Sequence, residues 1–186
     1  KDGMYKAEKC KVLGLGGTIG VDLNNYKLEN IPVMKAKIRQ EFNIPKDAIT
    51  YAFVGRICKD KGVEELLRAF ESLSQINNNC YLLLIGNIDV NSMLSSELIN
   101  NAKQNSHIIF CGAVSNTEIP QYLSAADVLV HPTYREGFGM VLQEAAALAL
   151  PTITTNIPGA SEAIVDGETG LLVEKQDVKT LEYAMV

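Results

Sequence analysis

The sequence predicts an α/β domain built on a doubly wound parallel sheet with helices on both faces. Three observations carry that prediction. Short apolar runs alternate with segments of helical periodicity along most of the chain. Several runs are apolar at nearly every position, Tyr81-Leu82-Leu83-Leu84-Ile85 most clearly, and a strand apolar on both faces must be covered on both, as in a parallel sheet. One helical segment carries Val63, Leu66, Leu67, Phe70, Leu73 and Ile76 at spacings of three and four, so a single face belongs to the core.

In chain order, the strand candidates are Lys11–Leu15, Ile49–Gly55, Cys80–Gly86, Ile108–Gly112, Val128–His131, Thr152–Thr155 and Gly170–Val173. Helices are expected near Val33–Phe42, Lys61–Ile76, Asn91–Gln104, Thr117–Ala125, Phe138–Leu150 and Asp177–Ala184. The start of the chain differs. Lys11–Leu15 runs into glycines, Asn24–Pro32 is polar, and Pro32 starts the next helix, where its missing N–H costs nothing. Residues 1–30 are read as the tail of a preceding domain with a linker, and 31–186 as the domain proper. Asn77-Asn78-Asn79 reads as a turn before a strand. Pro158-Gly159-Ala160-Ser161-Glu162 and Asp166-Gly167-Glu168-Thr169-Gly170 read as turns flanking a short helix.

The 186 residues suffice for one large domain with a full core. A content of 47% hydrophobic and 21% charged residues is ordinary for a globular chain and excludes disorder. The net charge of −5 argues against nucleic acid as a partner. No apolar run approaches the ~18–20 residues of a membrane span. The chain begins at Lys1 rather than Met, shows no secretory h-region, and is expected to be a piece of a longer protein. Cys10, Cys58, Cys80 and Cys111 lack Cys-x-x-Cys spacing. They are expected to be reduced thiols in or near the core, which favours a reducing cytosol.

Ligands of such sheets bind beyond the carboxyl ends of the strands. The loops after Gly55, Gly86, Gly112 and His131 are therefore the places to search. Gly14-Leu15-Gly16 fails as a dinucleotide loop, because the third glycine would fall at Ile19, and is read as a turn. Gly55-Arg56-Ile57-Cys58-Lys59-Asp60-Lys61-Gly62 offers two cations, Arg56 and Lys61. A cation opening a helix stands against the dipole by roughly 0.3–1 kcal/mol. An anion held between the two cations would reverse that penalty, whereas two solvated charges would need no ligand. The residues alone leave both readings open.

The sharpest pattern is Glu136-Gly137-Phe138-Gly139-Met140-Val141-Leu142-Gln143-Glu144. Its glycines allow close backbone approach, and amides of a first helical turn favour a phosphate. Glu144 is expected about six residues into the helix, roughly 9 Å along it, near the distance from a diphosphate to a ribose. Glu136 would face a sugar on the other side. The apolar stretch after Glu144 argues that its carboxylate has a partner. His107 and His131 lack neighbours at metal-ligand spacing, and no Asp-x-Asp pair offers to hold a cation, so no metal is expected. No Gly-x-Ser-x-Gly elbow points to hydrolase chemistry.

Together these stretches resemble glycosyltransferase family 4, the retaining enzymes of GT-B architecture. The matching segments are Phe53-Val54-Gly55-Arg56 with Lys61-Gly62, Ala125-Ala126-Asp127-Val128, and His131-Pro132-Thr133-Tyr134-Arg135-Glu136-Gly137-Phe138-Gly139. They continue with Leu142-Gln143-Glu144-Ala145, Leu150-Pro151-Thr152-Ile153, Gly159-Ala160-Ser161-Glu162 and Asp166-Gly167-Glu168-Thr169-Gly170-Leu171-Leu172-Val173. Gly20-Val21-Asp22-Leu23 is similar to the junction between the family's two domains. The Tyr-Arg-Glu-Gly-Phe-Gly form looks most like members that build bacterial capsule and other surface glycans.

The resemblance implies a C-terminal, Rossmann-like, donor-binding domain, the second half of a GT-B fold. It implies that Arg56 and Lys61 hold the donor diphosphate, that Glu136 stands at the donor sugar, and that Glu144 binds the ribose. Gly55, Gly137, Phe138, Gly139, Met140, Val141 and Leu142 would adjoin the donor, and Val114 would lie by the base. The implied donor is a nucleotide-diphosphate sugar, a UDP-sugar foremost, without a cofactor. The implied acceptor is a glycan or polyprenyl-linked sugar, met through an N-terminal domain outside this chain. The implied setting is cytoplasmic, with contact at the inner membrane face. Ala149 departs from the glycine usual in members and is read as a packing position. Nucleotide-sugar epimerases, other GT-B relatives and non-catalytic nucleotide-binding modules remain alternatives.

Overall fold

The computed structural model describes residues 20–186. The strand expected over Lys11–Leu15, the Gly14-Leu15-Gly16 turn and Cys10 lie outside these residues. Six strands form one sheet: β1 (Ile49–Val54), β2 (Cys80–Ile85), β3 (Ile108–Gly112), β4 (Val128–His131), β5 (Thr152–Thr155) and β6 (Gly170–Val173). Every neighbouring pair is parallel, in the order β3-β2-β1-β4-β5-β6. Six helices cover it: α1 (Ile31–Glu41), α2 (Val63–Ile76), α3 (Ser96–Gln104), α4 (Ile119–Ala125), α5 (Met140–Ala147) and α6 (Val178–Met185).

The continuously apolar strands sort their side chains between two cores by pleat alone. Leu82 and Leu84 enter one core with Phe53, Leu66, Phe70 and Leu181, while Leu83 and Ile85 enter the other with Ile38, Leu123, Leu129 and Leu142. Accordingly α2 packs beside α6 on one face and α1 beside α4 on the other. Tyr26, ahead of α1, is buried in the second core. Cys58 and Cys80 are buried and Cys111 half-buried, all three as free thiols.

One buried cation ties α1 to the sheet. Arg39 is only 4% exposed and sits 2.7 Å from the Asp127 carboxylate. It also donates to the carbonyls of Ala125, Pro45, Lys46 and Ala48. Asp127 accepts from the backbone N–H of Thr50 at 2.8 Å, which links β1 to the entrance of β4.

The strand limits agree with the sequence to within one residue, but five of the six helix starts move by two residues or more. α3 begins at Ser96 rather than Asn91, because the Ser95 side chain caps it by accepting from Leu98 N–H. α2 begins at Val63, since Lys59–Lys61 form a separate 3-10 turn closed by Gly62. α5 is shorter than Phe138–Leu150 at both ends. Its exit turns through Ala149 at φ 53°, and Ala149 is exposed. That position is therefore conformational rather than a packing position, as left-handed backbone costs a non-glycine residue about 1–2 kcal/mol. Ala149→Gly is expected to raise stability by about 0.5–1 kcal/mol, read as a later urea midpoint at unchanged slope. An earlier midpoint would refute this.

Candidate functional site

The strand order reverses between β1 and β4, so the loops leaving their carboxyl ends diverge and open a crevice. Every residue lining that crevice comes from these two loops. It is an open cleft of about 340 Å³ bounded by Arg56, Asp60, Lys61, Arg135, Glu136 and Gly137. A groove of about 290 Å³ between α2 and α3, lined by Leu67, Arg68, Asn101 and neighbours, contains none of the predicted site residues.

Backbone contacts bolt the two loops together. A Cβ on Gly62 would stand 1.9 Å from the Pro132 carbonyl oxygen, so only glycine lets the loops approach this closely. Tyr134 donates its N–H to the Asp60 carbonyl at 2.8 Å and its hydroxyl to Glu65 at 2.6 Å. The loop after β5 presses from the other side, where a Cβ on Gly159 would meet the Gly137 carbonyl oxygen at 2.2 Å. The Glu136 segment is thus held between neighbours that leave it little room to shift.

Within this frame, Glu136 is clamped by two donors. Its Oε2 lies 2.8 Å from Lys61 Nζ and 2.9 Å from His131 Nε2, and its Oε1 accepts from the Gly137 N–H at 3.1 Å. The hydrogen bond from His131 is the largest influence on this carboxyl. With Lys61 it outweighs burial and holds the pKa down at about 2. Glu136 is therefore a carboxylate throughout the neutral range. Glu136 lies in the coil between β4 and α5, ahead of the helix start. One sequence expectation is corrected: Lys61 does not open α2 but ends the 3-10 turn before it, and its ammonium pairs with Glu136.

His131 escaped the sequence reading, which weighed it only as a metal ligand. It ends β4, is 3% exposed, and stacks on Phe53 at a centroid distance of 6.2 Å. A histidine closing a buried strand at the switch point, five residues before a glutamate, was the available signal. Among the described residues, no group of three or more His, Cys, Asp or Glu is placed to hold a metal.

The other predicted residues are partly gathered. Arg56 borders the cleft but is 68% exposed and paired to Asp89, 2.5 Å away in the loop after β2. Gly55 follows β1, and its N–H bonds to the Ile85 carbonyl. Phe138 is half-buried, and Gly139, at φ 62°, leads into α5. No side chain caps that helix, and Met140, Val141 and Leu142 form its first turn. Glu144 is its fifth residue, so it stands about 6 Å along the axis rather than nine. Burial pushes the Glu144 pKa up, and the Tyr26 hydroxyl beside it partly offsets that shift. Tyr26 is the partner that the apolar setting of Glu144 demanded. Val114 lies in the loop after β3, packs against the second core, and is not among the residues that line the cleft.

The family model for glycosyl transferases group 1 matches residues 34–185. The chain belongs to that family. Among curated relatives, it is 35% identical over 179 residues to the capsular polysaccharide biosynthesis glycosyltransferase CapM of Staphylococcus aureus, covering 96% of this chain and 45% of CapM. The chain thus spans less than half the length of the curated relatives it matches first. The C-terminal domain of the group 1 protein LpcC from Francisella tularensis superposes with a TM-score of 0.76 at 29% identity, over 89% of this chain and 86% of that one. Anabaena Alr3699/HepE, solved with UDP and glucose, shares the fold at a TM-score of 0.74 and 24% identity, over 88% of this chain and 44% of its own. The Rossmann-like sheet of this group 1 chain is the C-terminal half of a GT-B architecture, as the sequence predicted.

Proposed function

We propose that this domain binds the nucleotide-diphosphate end of an activated sugar and, within its full protein, serves a retaining glycosyl transfer. The observation that carries this reading is the Lys61–Glu136–His131 cluster at the switch point, beside the uncapped start of α5. Anions favour a helix N-terminus, and here Lys61 shares the cleft with Gly137, three residues before α5 begins. Lys61, Arg56 and the amides of the Gly137–Leu142 segment stabilise charge on the departing diphosphate. Glu136 faces the sugar and positions it. The bond from anomeric carbon to phosphate oxygen breaks as the acceptor oxygen bonds to the same face, and the acceptor proton passes to the leaving phosphate. Glu144 accepts from the ribose hydroxyls, and Val114 lies towards the base. No metal takes part, so charge neutralisation falls to these cations and amides.

The complexes of HepE with UDP and with UDP-glucose support a UDP-sugar as donor. The likeness to CapM supports a glycan or polyprenyl-linked acceptor of surface polysaccharide assembly. On this reading the acceptor is met through the rest of the protein, at the cytoplasmic face of a membrane. Among the described residues, no helix is long and apolar enough to cross one. The 186-residue chain by itself binds nucleotide sugar weakly and does not transfer it.

Calorimetry with UDP, GDP, ADP and their sugars tests the reading. Glu144→Ala should weaken the free nucleotide about tenfold, the worth of one charged hydrogen bond. Glu136→Ala should spare the nucleotide and remove the extra affinity that the sugar brings. Equal losses for nucleotide and nucleotide sugar in Glu136→Ala would refute the assignment. Silence of the wild-type chain towards all three nucleotides at millimolar concentration would refute the function.

A further inference from the structure

We infer that His131 is the positioning residue that keeps Glu136 aimed at the donor sugar when Lys61 turns to the diphosphate. The inference rests on the function proposed above. Lys61 and His131 grip the same oxygen, Glu136 Oε2, at 2.8 and 2.9 Å. Their circumstances differ. Lys61 is 20% exposed on the wall of the cleft, carries three donors, and can share them with phosphate oxygens. His131 is only 3% exposed, stacks on Phe53, and is not among the residues that line the cleft.

Among the described residues, the buried Nδ1 of His131 has no hydrogen-bond partner. A carboxylate oxygen only accepts, so the bond to Oε2 requires a proton on Nε2. That donor is committed to Glu136. The cation can move between its anions, and the imidazole cannot. Among the described residues, Oε1 is held only by the adjacent Gly137 N–H, so it is the oxygen left to meet a sugar hydroxyl.

His131→Phe keeps the ring and its stacking on Phe53 but removes the donor. UDP should bind the variant as it binds the wild type, while the additional affinity for UDP-glucose falls about tenfold, the loss of one charge-assisted hydrogen bond. His131→Gln, whose amide reaches towards Oε2, should recover part of the increment, and His131→Asn, which is too short, should not. Long-range nitrogen–proton NMR of the wild-type chain should show a proton on Nε2. Should His131→Phe fail to fold, the contrast between Gln and Asn carries the test. An unprotonated Nε2, or equal losses of UDP and UDP-glucose in a folded variant, overturns the positioning role and leaves the donor reading standing. If the wild-type chain binds no nucleotide, both fall together.

Discussion

Lys61→Met should weaken nucleotide-diphosphate binding by about 100-fold, or ~2.7 kcal/mol, the largest loss expected from any single change in the cleft. The methionine keeps the aliphatic stem and removes only the charge. Lys61 and Glu136 are both mostly buried, 20% and 17% exposed, so solvent screens their interaction little. The same change has a signature that needs no ligand. Glu136 has its pKa depressed in the fold to about 2 from an ordinary 4.5. A carboxylate so depressed contributes stability that is complete above the ordinary value and lost as pH falls from about 5 towards 2. For Glu136 that loss is about 3 kcal/mol in the wild type. Without Lys61 the pKa rises, with His131 still holding it below the usual range, and the acid-dependent loss shrinks. Glu144 runs the other way. Its raised pKa makes the folded state bind more protons, so its contribution weakens as pH rises past the ordinary value. Urea melts from pH 3 to 7, set beside UDP titrations, check both arms. Unchanged UDP affinity in a folded Lys61→Met chain would remove the lysine from the donor site.

The sheet was legible because continuous apolar runs bounded by glycine have few alternatives, and the strand limits followed to within a residue. Helix starts were less so. Amphipathic spacing reports a buried face but not where the backbone first turns, and the 3-10 turn at Lys59–Lys61 keeps the polar look of a first helical turn. The end of α5 was misread for a related reason. Ala145–Leu150 is apolar throughout, and nothing in composition distinguishes a helical alanine from Ala149 in left-handed backbone. In the cleft, sequence supplied Lys61 and Glu136 but not their pairing, since residues 75 positions apart show no sign of contact. Tyr26, placed in a linker by its polar neighbours, could be joined to Glu144 only by the fold. His131 was visible but lacked a partner in the chain's linear order.

Arg39→Met should cost about 3–5 kcal/mol, the range for breaking a buried ion pair from one side, while leaving nucleotide affinity of the folded fraction unchanged. The expected loss exceeds that of an ordinary surface charge because the guanidinium serves five acceptors. Asp127 would keep Lys35 and the Thr50 N–H, but the carbonyls of Ala125, Pro45, Lys46 and Ala48 would all lose this donor. Burial acts to raise the Asp127 pKa, yet Lys35, the Thr50 N–H and Arg39 hold it below its ordinary value. Removing the guanidinium therefore weakens the carboxylate's hold as well as its own. At ~2–4 °C per kcal/mol for a chain of this size, the melting midpoint should fall by roughly 6–20 °C. This lock acts where β1 and β4 begin, through Thr50 and Asp127, whereas the cleft lies where the same two strands end. The two ends do different work. The amino ends fix how β1 and β4 pair, and the carboxyl ends, freed from that task, hold Lys61, His131 and Glu136 where the two loops meet. A normal UDP titration in a chain that melts early would establish that division. Loss of UDP binding in folded Arg39→Met, at a temperature well below its midpoint, would show instead that the site depends on strand pairing along its whole length.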